Sequence, residues 1–310
     1  MLNDLLQMAV ILNILAATIR MATPLLLGAM GELVAERSGV MNMGLEGMML
    51  FGVFIVWLVT YLGGSTVTGI AFALIVGGLL GLLLAVLVIY LRVDQTVSGL
   101  AINLLAVGVG EYIPRMVNVQ NEVVQVDILA NVNIPFLSEI PILGEVLFQQ
   151  NPFTYLAFLS VPVIAWFLKK TKYGLAIRSA GENPKAVDTR GLNVNRIRTL
   201  STIFAGMMAG LGGAFLMSVT SRYLPEMTAG RGWLAIIVVI AGNWKPSRMV
   251  IATLLFAFLS ALQVTLTTFE IAIPYEFFLI MPYALALIAL AASRVRSAQP
   301  AKLGVPYSRE

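Results

Sequence analysis

Few side chains in this sequence could do chemistry, and two of them stand together. The stretch MNMGLEGMMLFG (41–52) places Asn42 and Glu46 four residues apart inside a strongly apolar region. On a helix, that spacing puts an amide and a carboxylate on one face. A carboxylate at the centre of a bilayer costs about 3 kcal/mol or more unless it faces protein, water or a partner. The pair is therefore either solvated near a membrane surface or part of a polar patch on a path for solute. Just upstream, GELVAERSGV (31–40) carries Glu32, Glu36, Arg37 and two glycines. Such a stretch is expected as a turn outside the membrane or an unwound segment lining a cavity.

A second polar feature lies in DQTVSGLAINLLAVGVGEYI (94–113), where Gln95, Gly99 and Asn103 recur every four residues. Each step of four turns about 40° around a helix, so the three form one slanted stripe. Asn103 is the deepest polar side chain of that segment. An interhelical hydrogen bond and a place in the lining of a pore are both open to it. The pairs in GGLLG (77–81) and GMMAG (206–210) put glycine at i and i+4, a device for close helix packing. Met43, Met48 and Met49 read as adaptable packing material.

Composition excludes most other chemistry. The chain has 310 residues, 59% hydrophobic and 12% charged, with no cysteine and no histidine. Soluble domains carry about 25% charged residues, so this chain is built for lipid. Without cysteine there is no disulfide framework, thiol nucleophile or iron–sulfur site. Without histidine the commonest general base and transition-metal ligand are missing. No GxxxxGK[ST] motif cradles a nucleotide. A net charge of +4 is too small and too segregated for nucleic acid. Neither a metal site nor a cofactor is expected, and the start of the chain lacks the pattern of a removable leader.

These residues must be carried by membrane helices, each of about 20 apolar residues. Nine candidate spans are legible: 5–30, 40–62, 67–91, 96–113, 152–168, 199–221, 232–243, 249–268 and 276–292. The first holds Arg20 and Pro24 and would count as two if it breaks there. The expected architecture is thus all-α and polytopic, with nine or ten spans, one of them a candidate for a broken helix. The piece 232–243 is short enough for a half-span. Residues 1–293 form one membrane domain, and 294–310 a cytoplasmic tail, partly disordered because it lacks an apolar period.

Orientation follows from charge. The connection 169–198 holds Lys169, Lys170, Lys172, Arg178, Lys185, Arg190, Arg196 and Arg198 against Glu182 and Asp188. The connection 114–151 holds Arg115 against Glu122, Asp127, Glu139 and Glu145. The positive-inside rule sends the first to the cytoplasm and the second to the opposite face. The turn NWKPSR (243–248) and the tail, with Arg294, Arg296, Lys302 and Arg309, then also fall inside. Within the basic connection, Gly181 suits a helix end and Asn183-Pro184 a helix start, with Gly191 as a stop. The reading is a small helical hairpin, either an orientation signal alone or a docking knob for a cytoplasmic partner.

Several long motifs resemble the membrane subunits of bacterial ATP-binding-cassette importers. The group is that of branched-chain amino acid, simple sugar and nucleoside permeases, and the similarity is nearest to nucleoside and simple-sugar permeases. It rests on TPLLLGAMGELVAERSGVMNMGLEGMMLFG (23–52), DQTVSGLAINLL (94–105), GLAIRSAGENPKAVDTRGLNVNRIR (174–198) and AGRGWLAIIVVIAGNWKP (229–246). The family's coupling loop reads Glu-Ala-Ala-x-x-x-Gly. Here Lys185, Ala186, Val187 and Gly191 take those places, and the later Ile-x-Leu-Pro of the wider pattern is missing.

The resemblance implies a multi-pass protein of the bacterial plasma membrane that performs no covalent chemistry. A separate ATPase subunit would bind and hydrolyse ATP, and its closure would tilt the helices through the hairpin, with Gly181, Glu182, Lys185, Ala186 and Gly191 as the coupling residues. An extracytoplasmic binding protein would deliver substrate between this chain and a second, homologous or identical, permease subunit. Asn42, Glu46, Gly99 and Asn103 would then line the pathway of an uncharged polar solute such as a nucleoside. An ion-coupled secondary transporter is the main alternative. It would need deep ionisable residues, and Glu46, Glu111 and Glu270 are the candidates, each near a segment end. An intramembrane enzyme would need an aspartate or serine site, and Asp4, Asp94, Asp127 and Asp188 lie at or beyond span ends, so no paired buried aspartates are expected.

Overall fold

The computed structural model describes residues 8–117, 126–220, 222–268, isolated positions between 277 and 291, and 298–308. Ten α-helices carry these residues, in the order α1 (Met8–Ser38), α2 (Leu45–Tyr61), α3 (Thr66–Ala85), α4 (Gln95–Met116), α5 (Pro152–Lys170), α6 (Lys172–Glu182), α7 (Pro184–Thr189), α8 (Val194–Ser218), α9 (Arg231–Ala241) and α10 (Pro246–Thr268). Helix α3 continues through one wide π turn, Val86–Tyr90. A two-residue antiparallel ladder, β1 (Val132–Asn133) with β2 (Gln149–Gln150), tacks down the connection between α4 and α5.

Local sequence sets most helix starts. Ser65, Asp94, Asn151, Thr171, Asn183 and Asn193 each accept a backbone N–H from the first turn of the helix that follows. Proline at the first position of α5 and α7 needs no donor there. Six helices are long and apolar enough to cross a membrane, among the described residues; α2, with 17 residues, and α9, with 11, are apolar but shorter. The candidate span 276–292 lies largely outside the described residues.

The first candidate span departs from expectation. Helix α1 does not break at Arg20 or Pro24 and does not end near residue 30; it runs on to Ser38. Segment 31–38 is therefore helical and mostly buried, neither turn nor unwound strand. Pro24 removes one intrahelical donor. The neighbouring Thr23 hydroxyl bonds the Ile19 carbonyl at 3.0 Å and meets the Thr154 hydroxyl of α5 at 2.9 Å, so the site is pinned rather than opened. The helix ends instead at Gly39, whose φ of +99° suits glycine.

Helix α8 is the spine, packed against α1, α2 and α3. The two glycine pairs meet each other across α3 and α8. A Cβ on Gly77 would strike the Gly206 carbonyl, and one on Gly210 would strike the Ala73 carbonyl. The small residues thus set helix separation, as the spacing predicted. In lipid, close van der Waals packing of this kind replaces the hydrophobic drive between helices.

Candidate functional site

Between α1 and α2 the backbone leaves helical geometry for residues 39–44, yet these residues are almost all buried. Backbone polar groups in such a place need partners within the protein. The stripe on α4 supplies them. Gln95 Oε1 accepts the Met41 N–H at 2.8 Å. Asn103 donates to the Met43 carbonyl at 3.0 Å and accepts the Gly47 N–H at 2.7 Å. Between them, Gly99 lies so close to Met43 and Gly44 that an added Cβ would sit 2.5 Å from the Met43 carbonyl carbon. The three residues of the stripe hold one object, the interrupted backbone. Of the two roles left open for Asn103, the geometry displays the interhelical hydrogen bond.

Asn42 lies in the interruption, outside α2, so it does not share a helix face with Glu46 as the spacing predicted. It is fully buried. Its backbone N–H donates to Glu32 Oε1 of α1 at 2.9 Å, and its side-chain oxygen accepts the Gly44 N–H at 3.0 Å. Asn42 therefore ties the start of α2 back to α1.

Glu46, in the first turn of α2, points the other way. One carboxylate oxygen accepts the Thr228 hydroxyl and the Gly230 N–H, the latter at 2.9 Å; the other accepts the Gly232 N–H at 2.6 Å. Gly230 and Gly232 begin α9, so the carboxylate caps that helix and faces the positive end of its dipole. Gly232 permits the approach, since a Cβ there would stand 2.5 Å from the Glu46 backbone. A buried carboxylate with three donors at a helix N-terminus is well compensated. Asn42, Glu46, Gly99 and Asn103 thus come together around one break, flanked by α1, α4 and α9.

Glu32 and Glu36, expected in a turn or an unwound segment lining a cavity, are instead fully buried on helix α1. Glu36 accepts the indole N–H of Trp244, in the turn between α9 and α10. The adjacent Arg37 donates to the Trp244 carbonyl at 2.8 Å. Glu32 Oε2 and Glu36 Oε1 accept no N–H among the described residues and stand one helical turn apart on α1. Nothing in the one-dimensional pattern marked these two glutamates as buried, because their neighbours Gly31, Arg37 and Gly39 look like a turn.

The hairpin consists of α6 and α7, joined at Asn183, with Gly191 at φ +79° behind α7. The candidate coupling residues separate into two sets. Gly181 is buried, and a Cβ on it would collide with the Arg37 carbonyl at the end of α1. Its own carbonyl accepts the Lys302 N–H at 2.8 Å, and the Glu182 carboxylate accepts the Ala301 N–H at 3.2 Å. Lys185, Ala186 and Gly191 are exposed on the outer side of the hairpin.

Of the tail 294–310, residues 298–308 lie against this assembly, with Gly304 N–H donating to the Gly39 carbonyl at 3.1 Å; the remainder lies outside the described residues. Arg198, at the start of α8, is 2% exposed and organises the junction. Its guanidinium donates to Ser38 O at 3.1 Å, Val305 O at 2.8 Å and Ala180 O at 3.5 Å. Two of these carbonyls close helices α1 and α6, where a cation complements the dipole. In the sequence Arg198 was one base among eight in a loop, with no signal of burial.

The model of one protein family, described as branched-chain amino acid transport system / permease component, matches residues 14–290. The guanosine ABC transporter permease protein NupQ of Bacillus subtilis is 35% identical over 305 residues, 95% of this chain and 96% of that one. The nucleoside ABC transporter permease protein NupC of Lactococcus lactis is 33% identical over 296 residues, 92% and 93%. The putative glucose ABC transporter permease protein TsgC13 of Haloferax volcanii is 36% identical over 268 residues, 84% and 80%. No solved structure matches the chain.

Proposed function

The chain belongs to the branched-chain amino acid transport system / permease component family, and from that membership we infer that it is the membrane-spanning subunit of an ATP-driven importer of nucleosides, with simple sugars as the second substrate class. It is a multi-pass protein of the plasma membrane and a transport component, not an enzyme. The similarity to guanosine and nucleoside permeases over nearly the whole chain carries the reading. Its partners are an ATPase subunit, an extracytoplasmic binding protein and a second permease subunit, with nine or ten spans in this chain.

Asn42, Glu46, Gly99 and Asn103 form the pathway wall in this reading. Their polar atoms are spent on holding the break at 39–44, so they shape the passage and keep a polar seam at membrane depth. An interrupted helix is where transporters place substrate contacts and where helix tilting is cheapest. Gly181, Glu182, Lys185, Ala186 and Gly191 form the coupling element on the cytoplasmic face. The exposed outer residues dock to the ATPase. Gly181 bears on the end of α1, so movement of the hairpin reaches the break through Gly181 and Arg37. Alternating access is then a two-state motion driven from outside the chain.

The experiment is uptake of labelled guanosine, uridine and glucose by vesicles holding the permease pair, the ATPase and the binding protein. ATP-dependent accumulation of a nucleoside is expected. Accumulation against a gradient by this chain alone, without ATP, would end the reading.

A further inference from the structure

A groove of 540 Å³ opens on the side of the bundle between α5, α6 and α8. Val163, Trp166, Phe167, Tyr173, Ala176 and Leu200 line it, and no aspartate or glutamate is among its lining residues. The Ser201 hydroxyl there donates to the Ile197 carbonyl at 2.9 Å and asks for no polar ligand. The volume falls in the range of small-molecule sites, about 300–1,000 Å³. Its walls are fit only for hydrocarbon.

Its mouth is different. Helix α5 ends in Lys169 and Lys170, both exposed, and α6 begins with exposed Lys172. The Lys172 ammonium lies 5.5 Å from the centre of the Tyr173 ring, itself a wall of the groove. Arg196 is exposed beside Ile197, on the α8 side. Trp166 and Tyr173 are more than half exposed, as aromatic residues at a membrane interface are. A hydrocarbon slot whose flanking helix ends carry exposed lysines, beside exposed aromatics, matches one chemistry: an acyl chain joined to an anionic headgroup.

We propose that this groove is a binding site for one anionic phospholipid, with an acyl chain along Val163, Phe167 and Ala176 and the phosphate at Lys169, Lys170 and Lys172. The site is separate from the seam at 39–44. It touches α6, the first helix of the hairpin, so bound lipid would brace the hairpin against α5 and α8.

The test uses the purified full chain in its natural assembly. It is incubated with equal amounts of phosphatidylglycerol and phosphatidylethanolamine of matched acyl chains, and retained lipid is read by native mass spectrometry. One retained phosphatidylglycerol, in several-fold excess over phosphatidylethanolamine, is expected. Neutralising each lysine to glutamine should lower the preference by about fivefold, and Lys→Arg at the same places should keep it. Ala176→Trp should displace both lipids. Equal retention of the two lipids overturns the proposal, as does a preference that survives both the lysine and the Ala176 changes. A third arm addresses a protein occupant. The chain has no cysteine, so Leu200→Cys gives one thiol, in the groove. Efficient disulfide cross-linking of that thiol between two copies in native membranes would show a second copy there and also overturn it.

Discussion

Glu46 Oε2 accepts the backbone N–H of Gly232 at 2.6 Å, joining the first turn of α2 to the first turn of α9 across 186 residues of sequence. The carboxylate that looks misplaced in an apolar run is therefore the N-terminal anchor of a short helix. α9 has only 11 residues and no side-chain cap from its own N-cap residue, Gly230. At 11 residues it is too short to span the hydrocarbon core by itself, so its position depends on what holds its end.

Removing the charge tests that dependence. Glu46→Gln keeps the size but replaces an acceptor oxygen by a donor facing N–H groups or the Thr228 hydroxyl. A loss of about 1.5–3 kcal/mol is expected, the range of hydrogen bonds to charged groups. Thermal unfolding in detergent measures it, alongside nucleoside uptake at matched membrane abundance. Uptake and stability both at the wild-type level would remove Glu46 from the anchor and from the pathway wall.

Two glycines on α4 make a matched pair. A Cβ on Gly99 would run into Met43 and Gly44, whereas one on Gly108 meets nothing within 4 Å. Gly99→Ala should destabilise by about 1–3 kcal/mol through overpacking and depress uptake. Gly108→Ala should be neutral or stabilise by up to about 1 kcal/mol, the helix preference of alanine. Equal effects of the two changes would contradict the close approach at the break.

Arg198 is expected to hold the tail. Arg198→Leu leaves the Ser38, Ala180 and Val305 carbonyls without this donor, and each orphaned group costs about 1–3 kcal/mol. Limited trypsin digestion reads the outcome at Lys302: cleavage should be fast in the variant and slow in the parent. Cleavage at the same rate in both would mean that the guanidinium does not secure residues 298–305.

Gly191 is a conformational requirement and not a packing one, since nothing lies within 4 Å of its Cβ position while φ is +79°. Gly191→Val should cost about 1–2 kcal/mol of local backbone strain and weaken co-purification with the ATPase. Gly191→Asn, which tolerates that φ, should retain most of it. Identical recovery of the ATPase with both variants would exclude Gly191 from the coupling element.

Alkaline pH offers a local probe outside the spans. Tyr223, in the connection after α8, donates to the Gly110 carbonyl at 2.8 Å. Burial, and secondarily the charge on Glu111, pushes its hydroxyl up to about 12. The neutral form is the one favoured by folding. Its contribution is complete below the unfolded tyrosine value of about 10 and fades as pH rises through the folded value. A spectrophotometric titration should show a late tyrosine component that Tyr223→Phe removes.

Much of this was legible in one dimension. The apolar runs, the helix start at Asn183, the stop at Gly191 and the close packing at GGLLG and GMMAG all depend on neighbours within a turn or two, or on a residue type with one strong use. The stripe Gln95, Gly99, Asn103 was legible as a stripe, but its target was not. The error at 31–40 has a clear source. Two glycines and three charges in ten residues suit a turn or an unwound segment, whereas residues 31–38 are helical, with Asn42, Trp244 and Arg198 meeting their polar groups.

The sequence by itself determined that lipid is the solvent, that the chain is helical, which connections of its C-terminal half are basic, and that no thiol or imidazole chemistry takes place. These follow from side-chain composition, which sets transfer free energy whatever the fold. The tertiary structure decided which polar atoms meet: Glu46 with the start of α9, Asn103 with Met43 and Gly47, Arg198 with three carbonyls from separate segments. Those pairings join residues 18 to 186 positions apart. Inside a membrane each buried polar group must find a partner within the protein, so their identity depends on how all the helices pack at once.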